Sequence, residues 1–458
     1  MNRLTIRAGW VIPVDPEFRV IRNGEVAIED GRVLSVGPSE VGMPPEGELW
    51  EFPRRALLPG LVNVHTHVVG SLFRGLTEDR TDGFYGLALP MEPLLTPQSA
   101  AAMSRIGMAE VALGGCTVVN DMFHYSEETA RAAVDFGIRA VVEHKVFDTD
   151  LSSISTGERR QIPEEGERRL AHNVALFDEW DGAGDGRVKV WFGAHAADTC
   201  SSKLLAAISS EARSRGVSMH IHVAQSPEER DFMVERHGVG SIEFLAEQGF
   251  LGHDVLVAHV TYATDKGIEL LAETDTAVAH CPVILAKRGR FAPVKELYDV
   301  GVRVGWGTDW VSMDPWEMMR FGISGTRMRY GRIDLLSARE ALWRASMGSA
   351  QALGMASEVG SLEPGKAADL VLVDLDQPHL APLHDPVTTL IYNASRRDVT
   401  HVMVGGRLVV EDGNLVAADQ AQLVREAQAA AEGIWGESPL LWAPVAAARV
   451  PTPDGAGR

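Results

Sequence analysis

Two His-x-His pairs, His65 with His67 and His220 with His222, are the residues whose spacing most directly predicts chemistry. Both pairs lie in short apolar stretches typical of β-strands, where side chains repeat on one face every second residue. The two imidazoles of a pair can therefore bind one ion together, although a single ion rarely needs both pairs. Neutral imidazoles with one carboxylate and a position for water describe a catalytic divalent metal site, most simply Zn²⁺, with Fe²⁺, Co²⁺ or Mn²⁺ as alternatives.

Further titratable residues follow other apolar stretches along the chain. His195, His259, His280 and Asp309 each end a predicted strand. The carboxyl ends of parallel strands meet at one mouth of a barrel, so these side chains are expected to gather there. A divalent metal at such a mouth lowers the pKa of its bound water to about 7, which makes hydroxide available at neutral pH.

The order of strands and helices predicts an α/β fold. Eight apolar strands are predicted, at 57–65, 117–123, 138–147, 188–195, 217–223, 254–260, 276–281 and 302–309. Helical patterns separate them, so we expect a parallel (β/α)8 barrel of the TIM type. A doubly wound open sheet is the alternative, but that fold usually has a glycine-rich phosphate loop after its first strand, and this sequence shows none there.

The segments on either side of the barrel have a different pattern. Residues 1–57 and 360–418 contain short alternating strands separated by turn residues, which predicts a small β-sandwich domain built from both termini. The catalytic barrel is then predicted over 58–359. A C-terminal helix and tail are predicted over 419–458, with the last residues mobile.

Composition narrows the class of protein. The 458 residues include 43 Lys and Arg against 63 Asp and Glu, which gives a formal net charge of −20. Such an acidic surface disfavours nucleic acids and anionic membranes as partners. A small-molecule substrate is the expected partner, although the charge itself gives no firm information about it. The three cysteines are widely spaced and imply no disulfide framework, and no apolar run is long enough for a transmembrane helix. We therefore expect a cytoplasmic protein.

The segments LPGLVNVHTH, HIHVAQ, VAHV, AHCP and GTD together resemble the amidohydrolase superfamily, most closely its branch of aminopurine and nucleoside deaminases and triazine hydrolases. The resemblance spans essentially the whole chain and implies a metal-dependent hydrolase, often a homo-oligomer. The metal ligands that it implies are His65, His67, His222 and Asp309. A single metal ion is implied because His195 stands where members with two metals often have a bridging lysine.

The resemblance also implies roles for other residues of the mouth. Asp309 would move the proton of the attacking water, and His259 would polarise the substrate or orient the nucleophile. His220 is expected behind the metal ligands, in a structural or supporting role. Four residues are expected to contact the substrate. The resemblance implies Glu92 and His195, and the position near the mouth suggests His280 and Trp310.

One departure from the family pattern bears on the reaction. The deaminases read His-x-x-Glu on strand 5, and that glutamate moves protons to and from the ring nitrogen, whereas this chain has Gln225 at the position. Glutamine has no titratable proton, so Gln225 can position a substrate or a water but cannot be a general acid. The leading hypothesis is a hydrolase that uses a metal-activated water to cleave a non-peptide C–N bond of the amide, urea or carbamate type. The alternatives are a hydrolytic deaminase or dechlorinase of a purine, pyrimidine or s-triazine ring, and an inactive metal-binding homologue.

Overall fold

The structure, a computed structural model, describes residues 3–39, 47–154 and 158–437. Its strands form two sheets, one from the middle of the chain and one from its two ends. The tail predicted at the end of the chain lies outside the described residues.

The regular elements follow one another along the chain with short connections. The strands are Arg3–Val11 (β1), Ile21–Glu29 (β2), Arg32–Pro38 (β3), Glu48–Pro59 (β4), Leu61–Thr66 (β5), Cys116–Phe123 (β6), Arg139–Val146 (β7), Val188–Val190 (β8), Phe192–Ala196 (β9), Met219–Val223 (β10), Val255–His259 (β11), Ala277–His280 (β12), Val304–Trp306 (β13), Leu370–Asp374 (β14), Val399–Val404 (β15), Arg407–Glu411 (β16) and Asn414–Leu415 (β17). The α-helices are Leu89–Met91 (α1), Pro97–Leu113 (α2), Ser126–Phe136 (α3), Leu151–Ile154 (α4), Pro163–Trp180 (α5), Ala183–Gly186 (α6), Ser202–Arg215 (α7), Pro227–His237 (α8), Ser241–Glu247 (α9), Asp265–Glu273 (α10), Pro282–Lys287 (α11), Val294–Asp299 (α12), Pro315–Tyr330 (α13), Ala338–Trp343 (α14), Ser349–Ala352 (α15), Pro386–Asn393 (α16) and Gln420–Glu437 (α17). The remaining helical turns are Val68–Phe73, Gly83–Ala88, Glu92–Leu94, Arg344–Gly348, Pro378–Leu380 and Arg396–Asp398. Among the described residues, no helix is both long and apolar enough to cross a lipid bilayer.

The middle of the chain forms a parallel barrel. Its strands pair in the order β5, β6, β7, β9, β10, β11, β12 and β13, with β8 beside β7. The two ends of this sheet meet where the backbone N–H of Asp309 donates to the carbonyl of His65 at 3.0 Å, and Thr66 forms a parallel bridge with Asp309. Every residue of β6 and β7 is buried, as expected for strands covered by helices. The predicted TIM-type α/β fold is confirmed.

The first and last barrel strands differ from their predicted bounds. Residues 57–59 belong to β4 of the other sheet, and the barrel strand begins only at Leu61. The chain changes sheets at Gly60, where a Cβ atom would lie 2.1 Å from the hydroxyl oxygen of Thr117. At the other end β13 stops at Trp306, so Asp309 lies on the turn after the strand. Gly307 permits that turn, because a Cβ there would lie 2.6 Å from the carbonyl oxygen of His65.

The two ends of the chain share the second sheet. Its strands run in the order β17, β16, β15, β14, β4, β1, β2 and β3, and the two halves join where β14 pairs antiparallel with β4. Side chains buried on this sheet form one apolar cluster that includes Ile6, Val26, Leu57, Leu370 and Met403. The expected sheet from both termini is therefore confirmed, while the domain boundaries at 57, 360 and 418 stay predictions.

Candidate active site

A cavity that opens to solvent lies at the carboxyl ends of the barrel strands. Its apolar walls come from Phe84, Phe123, Ile284, Leu285 and Trp310. Its polar lining includes His67, His195, His222, Gln225, His259 and Asp309, so most of the predicted site residues meet in one place. An apolar cleft with a few convergent polar groups is the usual form of a small-molecule site.

Four buried side chains at the floor of this cavity have the spacing of a metal centre. The ligand atoms of His65, His67 and His222 lie within 4.8 Å of one another, and His65 and Asp309 belong to a second such group with His259. His67 Nε2 lies 3.2 Å from His222 Nε2 and 3.5 Å from Asp309 Oδ1. Two atoms at about 2.0–2.1 Å from a tetrahedral zinc ion are about 3.3 Å apart. The three histidines are therefore spaced to hold one divalent ion, and the Asp309 carboxylate lies beside His65 and His67, where it can complete the ligand set.

The hydrogen bonds of two of these histidines support the same conclusion. Nδ1 of His67 donates to the carbonyl oxygen of Met122, and Nδ1 of His222 donates to that of His195. Burial lowers the pKa of both imidazoles well below the ordinary value, so each ring is neutral and has one N–H. Their Nε2 lone pairs then face each other, an arrangement that a cation between them stabilises.

Two residues, one at the end of β11 and one on the turn after β13, have left-handed backbone conformations that aim their side chains into the cavity. His259 has φ of 80° and Asp309 has φ of 66°, values that residues with a Cβ adopt rarely and mainly at functional sites. His259 Nε2 lies 3.8 Å from Asp309 Oδ2, while Oδ1 of the same carboxylate faces His65 and His67. Burial lowers the pKa of His259, which favours its neutral form. The carboxylate therefore stands between the metal ligands and a second proton-carrying group.

Gln225 lines the cavity on a turn that a buried glutamate holds. The backbone N–H groups of Ala224 and Gln225 donate to the carboxylate of Glu229, each at 2.8 Å. Arg290 donates to the carbonyl oxygen of Gln225 at 3.4 Å. These bonds fix the backbone of Gln225, so its side-chain amide is presented to the cavity from a rigid support.

Glu92, whose role as a substrate contact stays a prediction, lines the cavity and is held there by two residues for which the sequence suggested no such role. Nζ of Lys145 donates to both oxygens of Glu92, at 2.7 and 2.8 Å, and His124 Nε2 donates to one of them at 2.8 Å. Arg169 donates to His124 Nδ1 at 3.0 Å, which fixes that tautomer. Burial raises the pKa of Glu92, but Lys145 and His124 outweigh it and lower the pKa to about 2. Glu92 and Lys145 thus form a buried ion pair on the cavity wall.

The other predicted substrate contacts lie at different depths. The hydroxyl of Thr199 donates to the carbonyl of Ala196 and accepts from His195 Nδ1 at 2.9 Å, so His195 can offer Nε2 to the cavity as an acceptor. Trp310 packs its ring 5.6 Å from that of Phe84. His280 lies behind the wall, and neither of its ring nitrogens has a hydrogen-bond partner among the described residues. Its role as a substrate contact stays a prediction.

Comparison with protein families adds to this geometry. The amidohydrolase family matches residues 56–409. A 5'-deoxyadenosine deaminase of Methanosarcina acetivorans is 32% identical over 439 residues, which cover 94% of this chain and 98% of that protein. A 5-methylthioadenosine/S-adenosylhomocysteine deaminase of Symbiobacterium thermophilum is 35% identical over 428 residues, which cover 90% and 94% respectively.

Solved structures show the same relationship. An adenosine deaminase from Xanthomonas campestris with bound zinc has a TM-score of 0.87 at 28% identity, covering 94% of this chain and 98% of that one. An atrazine chlorohydrolase from Arthrobacter aurescens TC1, complexed with zinc, has a TM-score of 0.83 at 25% identity and covers 93% and 100%.

Proposed function

The chain belongs to the amidohydrolase family and is a metal-dependent enzyme that hydrolyses carbon–nitrogen bonds, and from that premise we propose that it removes the amino group of an aminated heteroaromatic ring such as an aminopurine. The observation that carries this proposal is the aromatic-walled cavity directly above the three histidines and Asp309. Flat walls from Phe84, Phe123 and Trp310 suit a planar ring. The deaminase relatives match nearly the whole chain, which supports the same class of substrate.

We assign one divalent ion, preferably zinc, to His65, His67, His222 and Asp309. The nitrogen-rich donor set and the zinc named for two structural relatives support this choice. When bound, such an ion supplies hydroxide near neutral pH and polarises the carbon that is attacked. The predicted homo-oligomeric state and cytoplasmic location stay predictions, which sedimentation and cell fractionation would test.

The proton transfers are assigned to residues of the chain. Asp309 Oδ2 accepts a proton from the attacking water, and the neighbouring His259 helps to pass protons to the departing nitrogen. Gln225 can hold the ring or the leaving group by hydrogen bonds but cannot supply a proton. Attack by water and loss of ammonia then leave an oxo group on an intact ring.

A second candidate function is hydrolysis of an acyclic amide, urea or carbamate. Gln225 favours it, because such a substrate has no ring nitrogen that must be protonated and the leaving amine can take its proton from Asp309 or water. The product distinguishes the two reactions, since acyclic cleavage yields two carbon-containing fragments.

We expect a mass-spectrometric screen of the metal-loaded protein to find ring deamination. The panel would contain aminopurines and their nucleosides, aminopyrimidines, triazines, ureas, carbamates and thiocarbamates. An intact ring with an amino group replaced by oxygen supports the proposal. Two fragments from an acyclic compound contradict it and favour the second candidate, and metal binding without turnover of any compound favours an inactive homologue.

Gln225→Glu is expected to raise the kcat for ring deamination by about tenfold or more, because a positioned general acid typically contributes about 10²–10⁴-fold. The measurement is kcat and kcat/KM over pH for the ring substrate found in the screen. Gln225→Leu is the matched control, because it removes the amide without adding an acid and should only lower activity. Loss of the native activity in Gln225→Glu would instead tie the glutamine to acyclic chemistry.

A further inference from the structure

A line of three polar side chains runs from the metal cluster into the barrel interior. His65 Nδ1 lies 3.0 Å from His220 Nε2, and His220 Nδ1 lies 3.6 Å from Glu143 Oε1. The three residues come from β5, β10 and β7, and their side chains are fully buried. His65 and His220 are 155 positions apart in the sequence, and Glu143 belongs to no recognisable motif. The sequence alone therefore does not reveal that the three residues form a line.

The inner end of this line has unmet hydrogen-bonding capacity. Among the described residues, His220 Nδ1 and both carboxylate oxygens of Glu143 lack a partner at hydrogen-bond geometry, and the Asn120 side chain lies near enough to Glu143 to lower the pKa of its carboxyl. Leaving such groups unpaired in a protein interior is costly, because burial removes the water that would otherwise satisfy them. The gap between Glu143 and His220 exceeds a normal hydrogen bond by only about 0.5 Å, so a small movement would satisfy both groups.

The tautomer of His65 decides whether it can bind a metal. A neutral imidazole has one N–H, so Nε2 of His65 is a free ligand atom only when Nδ1 holds the proton. Nδ1 then donates to His220 Nε2, and His220 must hold its own proton on Nδ1, facing Glu143. In the reverse arrangement the N–H of His65 would point at the metal position and block it.

We propose that Glu143 and His220 are positioning residues that orient His65 and fix its tautomer for metal binding. Glu143 accepts the N–H of His220, His220 accepts the N–H of His65, and the lone pair of His65 Nε2 is directed at the metal. Outer carboxylate–histidine partners of this kind orient metal-binding histidines in many proteins. The proposal rests on the metal centre of the proposed function, and it holds whichever C–N bond is hydrolysed.

The test is a series at one position, Glu143→Gln and Glu143→Leu, compared with the full-length wild type. The amide oxygen of Gln can still accept the N–H of His220, whereas Leu cannot. The Zn²⁺ affinity is measured by competition with a chromophoric chelator. We expect it to fall modestly in the Glu143→Gln variant and by about 10–100-fold in the Glu143→Leu variant. The absorption spectrum of the Co²⁺-loaded protein should change in the same order, because it reports the orientation of the ligands.

The metal-free protein provides the readout that separates positioning from packing. Burial raises the pKa of the Glu143 carboxyl well above its ordinary value. Without a metal, the two imidazoles of the Glu143→Leu variant can adopt the reverse tautomers, so no N–H is left facing the leucine side chain. Loss of the costly buried carboxyl should therefore leave the Tm of the metal-free protein unchanged or higher, even as metal affinity falls. A parallel fall of Tm and affinity would mean that Glu143 only fills space, and would overturn the proposal.

Asp369→Asn is the matched control, because Asp369 is also a buried carboxylate. It pairs at 2.9 Å with Arg139, which lies on β7 as Glu143 does. This variant should have a lower Tm but a Zn²⁺ affinity within about twofold of the wild type, since Arg139 does not contact a metal-binding residue. Wild-type affinity in Glu143→Leu overturns the positioning role while leaving the metal centre intact. Failure of the wild type itself to bind Zn²⁺ would contradict the proposed function instead.

Discussion

Asp309→Asn is expected to lower kcat/KM by at least about 10³-fold, because the carboxylate serves two needs of the reaction. Oδ1 lies 3.5 Å from His67 Nε2, where it completes the proposed ligand set, and Oδ2 lies 3.8 Å from His259 Nε2, where it can pass a proton. An amide of the same size cannot accept that proton at neutral pH. The measurement is steady-state kinetics on the substrate from the screen, together with the metal content of each variant.

Asp314→Asn is a suitable control for this prediction. Asp314 lies five positions later on the same connection, but its carboxylate caps helix α13 by accepting the backbone N–H groups of Trp316 and Glu317. Because asparagine caps helices about as well as aspartate, this replacement should change stability by less than about 1 kcal/mol and leave kcat/KM within a few-fold. A metal-loaded Asp309→Asn variant with more than a tenth of wild-type activity would rule out the proposed proton transfer.

The parts of the site that depend on strand periodicity could be predicted from the sequence. Residues two apart in extended backbone lie on one face. His65 on β5 and His67, directly after the end of that strand, therefore point together, and the barrel brings His222 to meet them. The end of a strand was harder to predict. Asp309 was placed on a strand, but it lies on a turn that Gly307 permits by its close approach to His65.

Contacts between distant segments could not be predicted, because nothing local encodes them. Glu92 follows a run of short helical turns after β5, and its partner Lys145 lies 53 positions later on β7. Neither residue belongs to a spacing that repeats. Gln225 is a different case, since its identity was read directly from the sequence and the structure adds only the support from Glu229.

Lys145→Met is expected to lower the free energy of unfolding by about 3–5 kcal/mol at pH 7, because it leaves the Glu92 carboxylate buried without its cation. The side chains of Lys145 and Glu92 are only 3% and 4% exposed, so water cannot replace the lost partner. The measurement is urea unfolding of the wild type and the variant. The exposed pair of Lys203 and Glu167, at 81% and 68% exposure, is the matched control, and Lys203→Met should cost less than about 1 kcal/mol.

The pH dependence of this difference identifies the carboxylate as its cause. In the wild type the pKa of Glu92 is lowered from 4.5 to about 2, so the stability that it contributes is present above pH 4.5 and is lost as the pH falls towards 2. Without Lys145, only His124 still opposes the effect of burial, so the pKa of Glu92 rises. The variant can then protonate Glu92 at a higher pH, so the stability gap should narrow as the pH falls from 8 to 5.

The double variant Lys145→Met with Glu92→Gln completes the cycle. Removing both charges leaves the amide oxygen of Gln to accept the N–H of His124, so the double variant should recover most of the stability lost in Lys145→Met. No recovery, or a gap that stays constant from pH 8 to 5, would show that Lys145 stabilises the fold through its ammonium group above the Phe123 ring rather than through Glu92. Because Glu92 and Lys145 both line the cavity, recovery of stability without recovery of KM would further assign the pair to substrate binding.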